Sequence, residues 1–86
     1  MNVEAKRSFD RDLKRITDRE LRGRIAAAID DVKRADSPMA IPGIKPLGGP
    51  YYRIRVGNYR LGIRIDGETV LFVRCLHRRE IYRDFP

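Results

Sequence analysis

The chain contains one cysteine, one histidine and no tryptophan among its 86 residues. Cys75 has no second cysteine for an internal disulfide, and one cysteine with one histidine cannot complete a structural zinc site. No apolar stretch approaches the roughly 20 residues that a transmembrane helix needs, and the charged N-terminal segment lacks the apolar core of a signal peptide. We therefore expect a cytoplasmic protein with no metal, no cofactor and no contact with a membrane.

The chain is long enough for one small domain, which we expect to span residues 1–86. Nineteen Lys and Arg against twelve Asp and Glu give a formal charge of +7. Hydrophobic residues make up 42% of the chain, which allows a modest core and excludes a disordered polyelectrolyte. The positive surplus favours an anionic partner, of which nucleic acid is the commonest large one. Net charge alone is equally compatible with a basic protein that binds no polyanion.

The position of the charges is more informative than their sum. Residues 1–36 carry ten basic and eight acidic side chains, which is typical of a mixed-charge helical surface. Residues 51–86 carry eight arginines, four acidic residues and no lysine. Arginine matches phosphate oxygens in a bidentate geometry, so the second half is the candidate binding region.

The N-terminal half has the pattern of a short strand followed by two helices. Residues 2–5 form a candidate strand, and apolar residues then recur at helical spacing from about Ser8. Thr17 and Glu20 fit a capping box, which predicts the start of a second helix. That helix should end near Ala35, because a Ser-Pro pair follows it.

The C-terminal half has the pattern of a sheet. Residues 37–50 contain four prolines and three glycines, and we expect them to form a loop with fixed bends. Apolar residues then alternate with arginines, with turns at 57–58 and 66–67, before a nearly continuous apolar run at 70–76. Residues 78–86 fit a short terminal helix or an extended tail. The pattern predicts an α+β domain of order β-α-α-β-β-β, with a helical hairpin packed on one face of a mainly antiparallel sheet.

The first hairpin brings arginines together. Its two-residue turn places Arg55 opposite Arg60 and Arg53 opposite Gly62 on one face, with Arg64 nearby. Like charges opposite one another destabilise a sheet, so an anionic ligand would explain the arrangement. Gly62 would leave a gap where a sugar or a backbone could approach. The alternative is that the arginine stems splay outward and only keep this face hydrated.

Two further residues lie beyond the last strand. His77 has a side chain suited to proton transfer, although a lone histidine is more often structural. Tyr82 has two interpretations: it packs against the sheet edge, or it projects into the arginine face. There its hydroxyl would serve as an acid or base, and its ring would stack on a nucleobase.

The segments GGPYYRIRVGNYRLGIRI and VLFVRCLHRREIYR resemble the RelE/ParE superfamily of bacterial and archaeal toxins. The resemblance implies the toxin half of a type II toxin–antitoxin pair, with helices packed on an antiparallel sheet. RelE-type members cleave messenger RNA in the A site of the ribosome. ParE-type members instead poison DNA gyrase and lack the nuclease residues.

The arginine pattern favours the RelE branch, in which basic residues on the strands and a tyrosine in the tail form the active face. Lysines are common at the first two basic positions of that branch, and arginines replace them here. Arginine keeps the charge but cannot serve as a titratable lysine. In chain order the implied site residues are Arg53, Arg55, Arg60, Arg78 and Tyr82, with Arg79 as the alternative to Arg78.

The expected function is therefore that of a ribosome-dependent, metal-independent mRNA endonuclease, restrained by a cognate antitoxin and acting on mRNA in the 30S A site. The alternatives are a ParE-like gyrase inhibitor without nuclease activity and an inactive nucleic-acid-binding domain. Arg60 and Arg78 would clamp the scissile phosphate, and Tyr82 would activate the 2′-hydroxyl. His77 is the reserve acid or base, and the further phosphate-binding residues are Arg53, Arg55, Arg64 and Arg79.

Overall fold

The computed structural model describes all residues, 1–86, as five strands, three α-helices and one 3-10 turn. The sheet contains all five strands, with the N-terminal strand parallel to its neighbour and the others antiparallel. The predicted α+β class and helical hairpin are confirmed. The elements are β1 (Asn2–Ala5), α1 (Arg7–Lys14), α2 (Arg19–Arg34), the 3-10 turn (Pro38–Ala40), β2 (Ile44–Gly48), β3 (Tyr51–Val56), β4 (Tyr59–Asp66), β5 (Thr69–His77) and α3 (Ile81–Asp84).

The segment 37–50, predicted to be a loop, contains the strand β2. The sheet order is β1-β5-β4-β3-β2, so β2 forms an edge and pairs antiparallel with β3. Pro46 lies within β2 and is tolerated there because an edge strand need not donate a hydrogen bond on both sides. The prolines and glycines therefore concealed a fifth strand, and the order of strands and α-helices is β-α-α-β-β-β-β-α.

The N-cap of α2 is Asp18, so the predicted capping box at Thr17 is wrong. The Asp18 carboxylate accepts hydrogen bonds from the backbone N–H groups of Glu20 and Leu21, at 2.9 and 3.2 Å. A carboxylate in this position also interacts favourably with the helix dipole. The predicted end is confirmed, since Ala35 is the C-cap residue.

The register of the β3–β4 hairpin is confirmed. Arg55 pairs with Arg60, and Arg53 pairs with Gly62. The alternating apolar residues of both strands face α1 and α2 and form the main core with them. Phe9 of α1 packs edge-on against Phe72 of β5, with ring centroids 5.2 Å apart. The fully buried members of this core are Phe72, Ile25, Ile54, Leu61, Ile63, Val32 and Val70.

A bulge interrupts the alternation of β5. Gly62 pairs with Arg74 and Ile63 pairs with Phe72, which leaves Val73 as the extra residue on β5. Phe72 and Cys75 therefore both belong to the helix-side core, whereas Val73 packs on the opposite side of the sheet. Because of this shift, the side chains at the end of β5 have different neighbours from those expected for regular alternation.

The face of the sheet opposite α1 and α2 is partly covered by the C-terminal segment. The predicted short terminal helix is confirmed as α3, and Leu76, Ile81 and Phe85 form a second, smaller apolar cluster. The expected gap at Gly62 is filled, because a Cβ built there would lie 2.8 Å from the Phe85 ring. Gly62 therefore accommodates an aromatic ring of the same chain. None of the helices combines the length and the apolar character required to span a bilayer.

Candidate functional site

Four arginines lie on the sheet face opposite α1 and α2, at the end that α3 leaves open. Arg53 and Arg55 come from β3, Arg60 comes from β4, and Arg78 follows β5. We call these four residues the arginine cluster. None of them forms an ion pair, although five ion pairs occur elsewhere in the protein. The sequence-predicted cations are therefore brought together without a carboxylate of this chain to neutralise them.

Backbone carbonyl groups hold two of these side chains. Arg53 donates from Nη1 to the Gly43 carbonyl at 2.8 Å. Arg60 donates from Nη1 to the carbonyls of Gly57 and Tyr59, at 3.0 and 2.9 Å. These hydrogen bonds orient the guanidinium groups but leave their full positive charge available to an anion.

The backbone of Arg78 is tied to the turn of the β3–β4 hairpin. Its N–H donates to the carbonyl of Asn58 at 2.8 Å, one residue beyond the last residue of β5. The side chain of Arg78 is exposed. This hydrogen bond brings Arg78 to the same end of the sheet as Arg55 and Arg60.

Arg60 is partly buried and lies close to the positive charges of the other arginines in the cluster. Its pKa is lowered from the usual value, first by partial burial and then by the positive charges of Arg53 and Arg55. Tyr82 raises the pKa of Arg60, whereas the positive charge of Arg78 lowers it further. An added phosphate would relieve this repulsion, because each of its oxygens accepts hydrogen bonds from guanidinium groups.

Tyr82 projects from α3 towards the arginine cluster. Ile81 and Phe85 are buried on one side of the helix, which leaves Tyr82 on the other side with 62% of its surface exposed. The pKa of Tyr82 is lowered, chiefly by the neighbouring Arg53 side chain and its positive charge. Of the two interpretations of Tyr82, the structure supports the one in which its hydroxyl faces the arginines.

Arg53 carries a donor that has no acceptor. Its Nε is the buried side-chain nitrogen or oxygen that lacks a hydrogen-bond partner in this protein. An unpaired buried donor costs free energy, on the order of 1–3 kcal/mol. An anion could accept this N–H only after the atoms that cover Nε had moved aside.

Lys45 is a residue of this region that the sequence analysis missed. It lies on β2 directly opposite Arg53, so its side chain shares the face of the arginine cluster. Its positive charge also contributes to the lowered pKa of Tyr82. The signal that could have revealed it was the apolar–polar alternation around Ile44 and Lys45, which the neighbouring prolines obscured.

Three predicted site residues lie apart from the cluster. Arg64 donates to Asp66 at 2.9 Å and stacks at 5.8 Å from the centre of the Tyr51 ring, so its charge is already paired. His77 packs edge-on against Tyr59, which is half-buried and packs against the core on the helix side of the sheet. The backbone N–H of Arg79 donates to Nδ1 of His77 at 3.2 Å, and the Arg79 side chain is exposed in the turn after β5.

The helix side of the sheet carries a buried ion pair that has a structural explanation. Asp12 of α1 accepts from Arg74 at 2.7 Å and from the backbone N–H of Cys75 at 3.0 Å, next to the bulge of β5. The carboxylate is therefore satisfied within the chain. No group of three or more His, Cys, Asp and Glu side chains is arranged to hold a metal ion.

The chain was compared with protein families, curated proteins and solved structures. Residues 3–82 match the family described as the ParE toxin of the type II toxin–antitoxin system parDE. The chain is 42% identical over 89 residues to Toxin RelE3 of Methanocaldococcus jannaschii, with each protein covered completely.

Comparison with solved structures also finds toxins of toxin–antitoxin systems. The structure is similar to a chain of the RelB–RelE antitoxin–toxin complex of Methanococcus jannaschii, with a TM-score of 0.78, 38% identity, and coverage of 96% of this chain and 99% of that chain. The YoeB/ParE toxin of Agrobacterium tumefaciens shares the fold, with a TM-score of 0.72 at 24% identity, covering 90% of this chain and 98% of that chain. The chain therefore belongs to the ParE toxin family of type II toxin–antitoxin systems, within the RelE/ParE superfamily.

Proposed function

We propose that this toxin is a ribosome-dependent endoribonuclease that cleaves messenger RNA in the 30S A site and so stops translation in the cytoplasm. The observation that carries the proposal is the arginine cluster, which faces Tyr82 and has no acidic partner in the chain. A protein that only needed a hydrated sheet face would gain nothing from adjacent like charges, which oppose folding. The relationship to Toxin RelE3 supports the same branch of the superfamily.

The proposed reaction uses the nucleophile that RNA already contains. The 2′-hydroxyl attacks the neighbouring phosphorus, and the bond to the 5′-oxygen breaks. The enzyme must align these atoms, remove the 2′-proton and stabilise the extra negative charge that develops on the phosphoryl oxygens. Arg60 and Arg78 would stabilise that charge, while Arg53 and Arg55 would bind and align the RNA backbone.

Tyr82 is the proposed base. A free tyrosine is protonated at neutral pH, and a general base must be available in its deprotonated form. The neighbouring Arg53 side chain and its positive charge favour the phenolate of Tyr82, which lowers the pKa in the direction that the reaction requires. Dependence on the ribosome would mean that the ribosome contributes part of the alignment of the substrate.

The proposed protein partner is a cognate antitoxin. Several structurally similar toxins were solved as complexes with their antitoxins, among them the RelB–RelE complexes of Methanococcus jannaschii and Pyrococcus horikoshii. An antitoxin could inhibit this chain by covering the arginine cluster with acidic residues or by displacing the segment around Tyr82. Both routes would remove the proposed active face.

Inhibition of DNA gyrase is the second candidate function, since the matching family is described by its ParE toxin. In that case the arginine cluster would serve as a binding surface without chemistry. Purified toxin would then inhibit gyrase-catalysed supercoiling and leave messenger RNA intact on translating ribosomes. Cleavage on ribosomes without any effect on supercoiling would exclude this candidate.

The proposal is tested by inducing the toxin in cells and mapping new RNA 5′ ends across the transcriptome. The informative variant combines Arg60→Ala, Arg78→Ala and Tyr82→Phe. The loss of one arginine that stabilises the transition state should lower the rate on the order of 10²-fold, so the triple variant should neither cleave nor kill.

The matched control combines Arg7→Ala and Arg11→Ala, which remove the same charge from exposed positions on α1. The control should remain toxic and should produce the same RNA ends as the parent. Full toxicity of the triple variant would refute the assigned site. Equal loss in the control would show that total charge, rather than the site, determines toxicity.

A further inference from the structure

The proposed cleavage requires a proton donor as well as a base. When the bond from phosphorus to the 5′-oxygen breaks, the leaving alkoxide must receive a proton. Arginine is unsuited to this role, because it is not deprotonated in proteins. The four residues of the arginine cluster can therefore stabilise charge but cannot supply the proton.

The position of His77 excludes it as the proton donor. His77 packs against Tyr59, which packs against the helix-side core, and the Nδ1 of His77 accepts the backbone N–H of Arg79. Its ring thus lies on the side of the sheet that faces away from the arginine cluster. The superfamily's common lysines on the strand after the loop are replaced by Arg53 and Arg55. One further phenol of β3 lies on the cluster's face, but Tyr51 stands at the start of the strand, where its ring packs edge-on against Phe85 and beneath Arg64 rather than beside Arg60.

The missing donor is found on the edge strand β2. Lys45 pairs with Arg53 across β2 and β3 and therefore lies on the same face as the cluster. It forms no ion pair, and its side chain is exposed. Four lysines occur in the chain, and the other three lie within the first 36 residues. Lys45 is thus the single transferable ammonium group on this face.

We infer that Lys45 is the general acid that protonates the 5′-oxygen of the leaving nucleotide. The inference rests on the proposed nuclease function and adds a residue to it. In the superfamily, lysines are common on the strand after the loop. In this chain that strand carries Arg53 instead, and the titratable amine lies beside it on the edge strand. The charge of Lys45 is also among those felt by the Tyr82 hydroxyl, which supports its position within the site.

The complete step balances in protons and bonds. The Tyr82 phenolate takes the proton of the 2′-hydroxyl, and the 2′-oxygen forms a bond to phosphorus. The bond between phosphorus and the 5′-oxygen breaks as Lys45 donates a proton from Nζ to that oxygen. The products are a 2′,3′-cyclic phosphate and a 5′-hydroxyl, and proton exchange with water then restores the phenolate and the ammonium.

The test uses Lys45→Arg, which keeps the positive charge but removes the transferable proton. Single-turnover cleavage is measured on ribosomes programmed with a synthetic messenger RNA, once with the natural linkage and once with sulfur in place of the bridging 5′-oxygen. A thiolate leaves readily without protonation, because a leaving group of lower pKa departs faster. On the natural linkage the variant should cleave about 10²–10⁴-fold more slowly than the parent, with the same half-saturating concentration. On the sulfur linkage the two rates should agree.

Lys14→Arg is the matched control, because Lys14 is exposed on α1 on the opposite side of the sheet. It should cleave both linkages at the parental rate. Normal cleavage of the natural linkage by Lys45→Arg, or an equal defect on both linkages, would overturn the assignment of Lys45 while leaving the nuclease function intact. If the parent itself cleaves no messenger on ribosomes, the nuclease proposal fails and the role of Lys45 fails with it.

Discussion

The contact between Gly62 and Phe85 gives a sharp test of how the C-terminal segment is held. A methyl group added at Gly62 would approach three Phe85 ring carbons at 2.8 to 2.9 Å. Overpacking of this kind costs about 1–3 kcal/mol. We therefore expect Gly62→Ala to lower the free energy of unfolding by about 2 kcal/mol, near the middle of that range.

A double-mutant cycle isolates the cause. Phe85→Ala removes the ring, so a second change at Gly62 should then cost less than about 0.5 kcal/mol, giving a coupling energy of more than about 1 kcal/mol. Gly23→Ala is the control, because the corresponding Cβ on α2 meets nothing within 4 Å; it should stabilise the helix by up to about 1 kcal/mol. Guanidinium denaturation followed by circular dichroism measures all four proteins and the control. Equal costs of Gly62→Ala with and without the Phe85 ring would refute this account of the packing.

Three further predictions concern single side chains. Asp12→Ala should destabilise the protein by about 3 kcal/mol in thermal or chemical unfolding, because it leaves a partly buried guanidinium and a buried backbone N–H without an acceptor; Asp10→Ala, on the exposed side of the same helix, should cost less than about 1 kcal/mol. Arg53→Gln should move the acidic limb of the pH–rate profile to higher pH, because loss of the neighbouring guanidinium charge raises the pKa of Tyr82; an unmoved limb would exclude Tyr82 as the base. Burial raises the pKa of the Cys75 thiol to about 12, so a thiol reagent at pH 8 should modify this cysteine only on unfolding, and rapid native-state modification would contradict the predicted burial.

The alternation of side chains was enough to predict most of the sheet. In the β3–β4 hairpin, the two-residue turn fixes which residues are opposite one another, so Arg55 and Arg60 could be paired before any coordinates were known. The end of α2 was equally accessible, since a Ser-Pro pair restricts the backbone locally. These features depend on interactions between residues that are close in sequence.

The errors arose where distant residues decide the outcome. β2 is a strand because β3 offers it a hydrogen-bonding edge, and this pairing overrides the turn preference of its prolines and glycines. The bulge at Val73 cannot be read from a continuous apolar run, yet it determines that His77 packs with Tyr59. The ring that fills the space above Gly62 comes from Phe85, more than twenty residues along the chain.

The same sheet face therefore serves two opposed purposes. Its apolar half holds Ile81 and Phe85, which stabilise the fold, while its basic half carries repelling guanidinium groups, which oppose folding. Tyr82 stands at the boundary, because it follows a buried residue of α3 and its hydroxyl faces the arginines. Any change that undocks α3 must then withdraw the phenol from the cations, even if every arginine remains in position. The predicted signature in Gly62→Ala is a loss of cleavage at temperatures where the main core is still folded, since the smaller cluster can open locally before the rest of the protein.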